Sequence, residues 1–298
     1  KTIPHPNVIS SRFKRMEGEM AYKTLFSVLT DPKLVDPVLE QGIALANAGD
    51  AHLDVLCMGV DRTQTGYYYA GANAMVLQET ITRAHEEAQA VEARVKHVLD
   101  ASGIQWSSET GVAQLADIGR HVAMRARFSD LAILPQPYGE KRGAELEPVL
   151  EAAMFDGKVP VIMLPAKGKP ISAAKNVLIA WNESNEAMAA VRAALPILQA
   201  ADIVRVVVID PPVHGPSRSD PGGQLSQFLA RHDVKVEIDV LSKTMPRVSD
   251  VLLRHADDTN ADLVVMGAYG HSRFREAILG GATRSMLEQA DLPVFMAH

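Results

Sequence analysis

Short unbroken apolar runs alternate along this chain with longer stretches in which apolar residues recur every three or four positions. Leu25-Phe26-Ser27-Val28-Leu29 is the first such run and Leu53 to Val60 the second. Asp130-Leu131-Ala132-Ile133-Leu134 and Val159-Pro160-Val161-Ile162-Met163-Leu164 follow. Runs of this length without polar alternation predict strands covered on both faces, as in a parallel sheet. Between them, residues 37–48 predict a helix stopped by Gly49. Met75, Leu77, Ile81, Ala84, Ala88, Val91, Val95 and Val98 predict a much longer one, closed by Gly103. Leu115, Ile118, Val122, Ala123 and Ala126 share one face of a third helix.

The same grammar then recurs. Lys175 to Ala180 matches Lys23 to Val28, Glu186 to Ala200 reads as the first helix again, and Ile203 to Ile209 as the second strand. Residues 248–256 predict a helix that leads into Asp262-Leu263, the counterpart of Asp130-Leu131. Leu292-Pro293-Val294 matches Val159-Pro160-Val161, and the copies differ mainly in the middle, where the first carries the longer helix. Two copies of a βαβαβαβ-like unit predict two tandem α/β domains, each an open parallel sheet with helices on both faces. Pro165-Ala166-Lys167-Gly168-Lys169-Pro170 has the composition of a linker. The expected domains are therefore 20–166 and 171–298. Residues 1–19 form an N-terminal extension without periodicity or a secretion h-region, ahead of Met20 as the expected natural start.

Composition narrows the function. Over 298 residues, 47% hydrophobic and 22% charged is ordinary for a globular protein of two domains. A net charge of −6 argues against a nucleic-acid partner held by phosphate attraction. The single cysteine, Cys57, excludes an intramolecular disulfide, and its apolar run reads as a buried strand thiol. No run approaches the length of a membrane span, so no membrane partner and a cytoplasmic location are expected.

The chemistry points to Asp262–Met286, DLVVMGAYGHSRFREAILGGATRSM. A buried strand, Asp262 to Met266, gives way to Gly267 and Gly270, and Gly280-Gly281 then precedes a helix start at Ala282-Thr283-Arg284. A strand, a bare-backbone loop and a helix N-terminus form an anion or phosphate site in α/β proteins. Arg273, Arg275 and Arg284 are nearby cations. His271 is a lone loop histidine, and His214, His232 and His255 lack metal-ligand spacing. Neither a G-x-x-x-x-G-K-[ST] loop nor a G-x-S-x-G elbow is present. Tyr67-Tyr68-Tyr69 reads as core packing or a surface feature.

With Gly267, two residues, Gly270, nine residues, Gly280 and the closing Leu292–Met296 run, this stretch resembles the universal stress protein (UspA-like) family. The resemblance extends from Met20 onward as a tandem of two such domains. It implies a Rossmann-like, adenine nucleotide α-hydrolase-like fold, the domains related by a pseudo-twofold through the last strand of each. That intrachain pseudo-dimer would set residues 159–164 beside 292–297, with a further homodimer left open. The resemblance also implies ATP or another adenine nucleotide in the second domain, with Mg²⁺ arriving only with the nucleotide. The contacts carried over are Ala180, Asn182, Val208, Met266, Gly267, Tyr269, Gly270, Gly280, Gly281, Ala282 and Thr283. Asn182 stands where the family has a carboxylate, and Gly281 where it has a hydroxyl. Trp181 stacks on a base or packs in the core. In the first copy Pro135 and Tyr138 replace Gly267 and Gly270, and Glu147-Pro148 replace Gly280-Gly281. Proline offers no N–H, so that half is expected to be structural or regulatory.

The expected function is thus a stress-response binding or regulatory protein without catalytic residues, at most a slow ATP hydrolase. One rival is an interaction scaffold with two dead sites. Another is an adenylating or nucleotidyl-transfer enzyme, whose S-G-G-x-D-S or H-x-G-H signature neither Leu29–Pro32 nor Trp181–Ser184 matches.

Overall fold

The apolar runs become strands whose side chains are buried on both faces, in a computed structural model that describes residues 22–62, 74–140, 142–165, 174–211, 220–268 and 281–298. The N-terminal extension, the Tyr67–Tyr69 triple, the linker from Ala166 onward, and the loop holding Tyr269, Gly270, His271, Arg273, Arg275 and Gly280 lie outside the described residues. The first half supplies β1 (Thr24–Leu29), α1 (Val35–Gly49), β2 (His52–Asp61), α2 (Ala74–Leu99) and β3 (Gln105–Gln114). It continues with α3 (Ile118–Ala126), β4 (Leu131–Pro135), α4 (Leu146–Glu151, extended by a π-helical turn over 152–156) and β5 (Val161–Leu164). The second half repeats the order: β6 (Asn176–Ala180), α5 (Asn185–Ala200), β7 (Ile203–Ile209), α6 (Gly223–Ala230), β8 (Val236–Leu241), α7 (Val248–Asp258), β9 (Leu263–Gly267), α8 (Gly281–Gln289) and β10 (Val294–Ala297). The expected difference in the middle is there: α2 has 26 residues and α6 has 8.

All ten strands join one sheet, in the order β3-β2-β1-β4-β5-β10-β9-β6-β7-β8. From either edge the order of equivalent strands is the same, so an approximate twofold relates the halves. Every neighbouring pair is parallel except β5 with β10, which run antiparallel in the register Val161↔Met296, Ile162↔Phe295 and Met163↔Val294. Successive residues feed two core layers. On one face Leu25, Leu29, Ile162, Val177 and Phe295 pack with α1, α2, α5 and α6. On the other Phe26, Val28, Val161, Met163 and Met296 pack with α3, α4, α7 and α8. Each layer runs through both halves without a break at the β5–β10 seam. Side-chain hydrogen bonds cross between the halves as well: Tyr22 Oη donates to Ala193 O at 2.7 Å, and buried Gln136 Nε2 donates to Leu287 O at 2.9 Å and to Ala290 O at 3.4 Å.

Each half has a fifth strand that the apolar pattern did not predict. β3 carries Ser107, Ser108, Glu109 and Thr110, and only Ala113 in it is buried; no residue of β8 is fully buried. These are the two outer strands, covered less and so free to be polar. The helices α4 and α6 were also unpredicted; α6 is only two turns long.

The repeated Asp-Leu pair has a structural duty. Asp130 Oδ2 accepts from the backbone N–H of Lys23 and Thr24 at 2.7 and 2.9 Å, and its own N–H donates to Thr24 O. Asp262 Oδ2 does the same for Lys175 and Asn176 at 2.9 Å each, and its N–H donates to Asn176 O. One carboxylate thus aligns the starts of two neighbouring strands in each half. Replacing Asp262 with Ala should lower unfolding stability by about 1–3 kcal/mol, since charge-assisted bonds to two backbone donors are lost. A urea titration followed by circular dichroism reads this directly.

Cys57 lies fully buried in β2. Burial pushes its thiol up to about 12 from 9.0, with Glu92 adding to the rise and Lys96 opposing it. The neutral thiol is therefore the native form, and its contribution is fully present below pH 9 and lost as pH climbs from 9 towards 12. Native protein should resist thiol alkylation until denatured. Between those pH values its stability should fall more steeply than that of Cys57→Ala, measured by denaturant titration at each pH.

Candidate functional site

In an open parallel sheet the ligand crevice lies at the strand carboxyl ends where the strand order reverses. That reversal falls between β6 and β9 in the second half and between β1 and β4 in the first. In the second half Ala180 and Met266 are register partners at the crevice, Gly267 follows, and Gly267 faces Ala297 of β10. Val208 stands near the end of the next strand, 6% exposed, and Met266 is 5% exposed. The structure therefore brings Ala180, Val208, Met266 and Gly267 together at one end of the sheet. Gly281, Ala282 and Thr283 form the first turn of α8. Tyr269, Gly270 and Gly280 fall outside the described residues.

Local hydrogen bonding explains the turn after β6. Asn182 Oδ1 accepts from Ser184 N–H at 3.2 Å, and Ser184 Oγ caps α5 by accepting from Ala187 N–H at 3.1 Å. Glu183 between them has φ 62°, the left-handed conformation. The Asn182 carboxamide oxygen is thus engaged in the turn, and its Nδ2 remains the group with which it would meet a ligand. Trp181 is half-buried and packs against the core layer that holds Phe295.

The two glycines described here have different reasons to be glycine. A Cβ on Gly267 would lie 2.4 Å from Ala187 N and 2.6 Å from Glu186 C, in the first turn of α5. A side chain there would drive the helix off the sheet. A Cβ on Gly281 would meet none of the described residues within 4 Å, and Gly281 itself is exposed at the start of α8. Arg284, read as a cation near the phosphate, is committed elsewhere. Its Nε donates to Glu288 at 2.7 Å, and its guanidinium lies 5.3 Å from the ring centre of Tyr138 in the first half.

The first half's crevice is built differently. Pro135 ends β4 in register with Leu164, and the Tyr138 hydroxyl donates to the Glu147 carboxylate. At the end of β2, Arg62 Nη2 donates to Glu145 at 2.8 Å and Nη1 to Glu87 at 3.1 Å. The aperiodic loop holding Arg142 and Glu145 gave no sequence signal beyond its charges. Away from both crevices, His255 Nε2 lies 2.8 Å from Asp239, between α7 and β8. Among the described residues no helix is long and apolar enough to cross a membrane.

The sequence profile of the universal stress protein family matches residues 173–298. A universal stress protein of Synechocystis is 29% identical over 97 residues, which are 30% of this chain and 33% of that protein. The chain thus matches about a third of the length of that curated relative. Among solved structures, a universal stress protein from Archaeoglobus fulgidus superposes with a TM-score of 0.70 at 17% identity, covering 92% of this chain and 95% of the other. A protein of unknown function from Pseudomonas aeruginosa gives 0.58 at 14% identity, covering 93% and 92%. At such identities these two likenesses speak for the fold.

The glycine geometry predicts opposite outcomes for one substitution. Gly267→Ala should destabilise the protein by about 1–3 kcal/mol through the forced shift of α5. Gly281→Ala should leave stability unchanged or raise it by up to about 1 kcal/mol, through helix propensity alone. Parallel thermal unfolding of the two variants separates the packing glycine from the free one.

Proposed function

We propose that this chain, whose residues 173–298 match the universal stress protein family, is a regulatory protein of that family that binds an adenine nucleotide in the β6–β9 crevice. The observation that carries this reading is the pair of small residues at the strand ends of the crevice, Ala180 and Gly267, together with the exposed Gly281 at the N-terminus of α8. Asn182 Nδ2 offers a donor for a ribose or base edge. Backbone N–H groups of Gly281, Ala282 and Thr283 would receive phosphate oxygens, aided by the helix dipole. Gly281 lacks the family's hydroxyl, so backbone donors carry the phosphate contact there. Mg²⁺ would enter with the nucleotide.

Turnover should be slow. Phosphoryl transfer to water needs a positioned carboxylate for metal or water. Asp210, the acid after β7, already accepts from Lys243 N–H at 3.0 Å. The residues in reach are suited to holding a nucleotide and presenting its presence to partners. Soluble single-location use in the cytoplasm and further pairing between chains belong to the same proposal.

Native mass spectrometry of freshly purified protein tests it. We expect an added mass corresponding to ATP, ADP or AMP, and at least about tenfold weaker binding in Gly281→Asp, where a carboxylate meets the phosphates. Retained folding is expected because none of the described residues lies within 4 Å of the new side chain's Cβ. No bound mass and no rise in melting temperature with ATP would favour the interaction scaffold instead.

A further inference from the structure

The first half's crevice, between the ends of β1 and β4, contains three buried side-chain atoms without a hydrogen-bond partner: Thr30 Oγ1, Arg142 Nη1 and Glu145 Oε2. Thr30 is 5% and Glu145 2% exposed. The other such atoms among the described residues, on Asn176, Arg205 and Ser249, fall on β6, β7 and α7 of the second half. Leaving a buried polar atom unpaired costs about 1–3 kcal/mol. Three at one crevice of the kind that receives ligands call for an occupant that supplies their partners.

The remaining contacts place these groups on two sides of the strand ends, Arg142 with Asp31 and Glu145 with Arg62. Glu145 Oε1 accepts from Arg62 at the end of β2, which leaves Oε2 free. Asp31, the neighbour of Thr30, attracts the Arg142 guanidinium and opposes the burial that lowers its basicity. Asp31 Oδ1 also accepts from Lys33 N–H at 2.9 Å. Gly143 lies between Arg142 and Glu145, and a Cβ on it would stand 2.2 Å from Glu145 Oε1. Its bare Cα therefore lets the carboxylate fold back into the protein.

The orphaned set dictates the complement. Arg142 stays cationic and asks for an oxygen acceptor, Glu145 Oε2 asks for a donor, and the Thr30 hydroxyl serves either. Among the described residues Asp31, Asp61, Glu87 and Glu145 stand against Arg62, Arg83 and Arg142, so a simple anion would meet more carboxylate than guanidinium. A ligand bearing both charges satisfies every group. We propose that the first half's crevice binds a small zwitterion of the free amino acid class, carboxylate on Arg142 and Thr30, ammonium on Glu145. This site is independent of the nucleotide crevice, whose failure would leave it untouched.

The test uses the full chain, screened by thermal unfolding against the twenty free amino acids, with any hit titrated calorimetrically. We expect at least one to raise the melting temperature and bind one to one. Its N-acetyl and amide forms, each missing one charge, should not bind. Arg142→Met and Glu145→Gln should each weaken binding by about tenfold or more. Gly143→Ala, which retains both charges but displaces the carboxylate, should weaken it as well. The proposal is overturned if no amino acid binds the wild type, or if the N-acetyl or amide form binds as well as its parent. Binding of inorganic phosphate in place of amino acids would overturn it too. So would variants that keep full affinity, since the orphaned atoms would then be met by buried water alone.

Discussion

The antiparallel pairing of β5 with β10 is the contact on which the architecture depends. Val161–Leu164 and Val294–Ala297 are entirely buried and apolar, so neither could stand as an exposed sheet edge without inviting aggregation. Set against each other, they turn two vulnerable edges into the middle of one sheet. Phe295 and Ile162 meet on one face while their neighbours fill the other, which is why both core layers pass through the seam. The strands left outermost, β3 and β8, are those with the least buried apolar surface. Polarity has been moved to the edges and apolar content to the join.

The two halves reach a crevice of the same topology by different chemistry. In the second, Ala180 and Gly267 put small residues at the strand ends. In the first, Pro135 ends the strand and contributes no donor, and the loop that follows brings the charged Arg142 and Glu145. The halves share one frame and differ in the residues at its strand ends. The paired Asp130 and Asp262 bonds, alike in both halves, belong to the frame.

Most of this frame was legible in the sequence because parallel strands buried on both faces cannot be polar. The repeat of Asp130-Leu131 at Asp262-Leu263 and the excess length of α2 over α6 were equally plain. β3 was not legible, since Ser107 to Thr110 on an outer strand carry no apolar alternation. The site was harder. Gly267 reads in the sequence as a ligand glycine, yet its backbone sits against Ala187, so packing alone would demand it. Arg284 looks like a phosphate cation until its partners Glu288 and Tyr138 are seen. Arg142 and Glu145 carried no signal because their meaning comes from which bonds they fail to make, and that is a property of the folded arrangement.

The seam also orders events during synthesis. Met163 must wait for Val294, made about 130 residues later, before its strand gains an antiparallel neighbour. Until then β5 is an apolar edge on a half that already holds its other strands. Closing so distant a contact is slow, because the intervening chain must first be gathered. The nascent first half is therefore the stage at which this protein is most exposed to mispairing, and the most natural client for a chaperone.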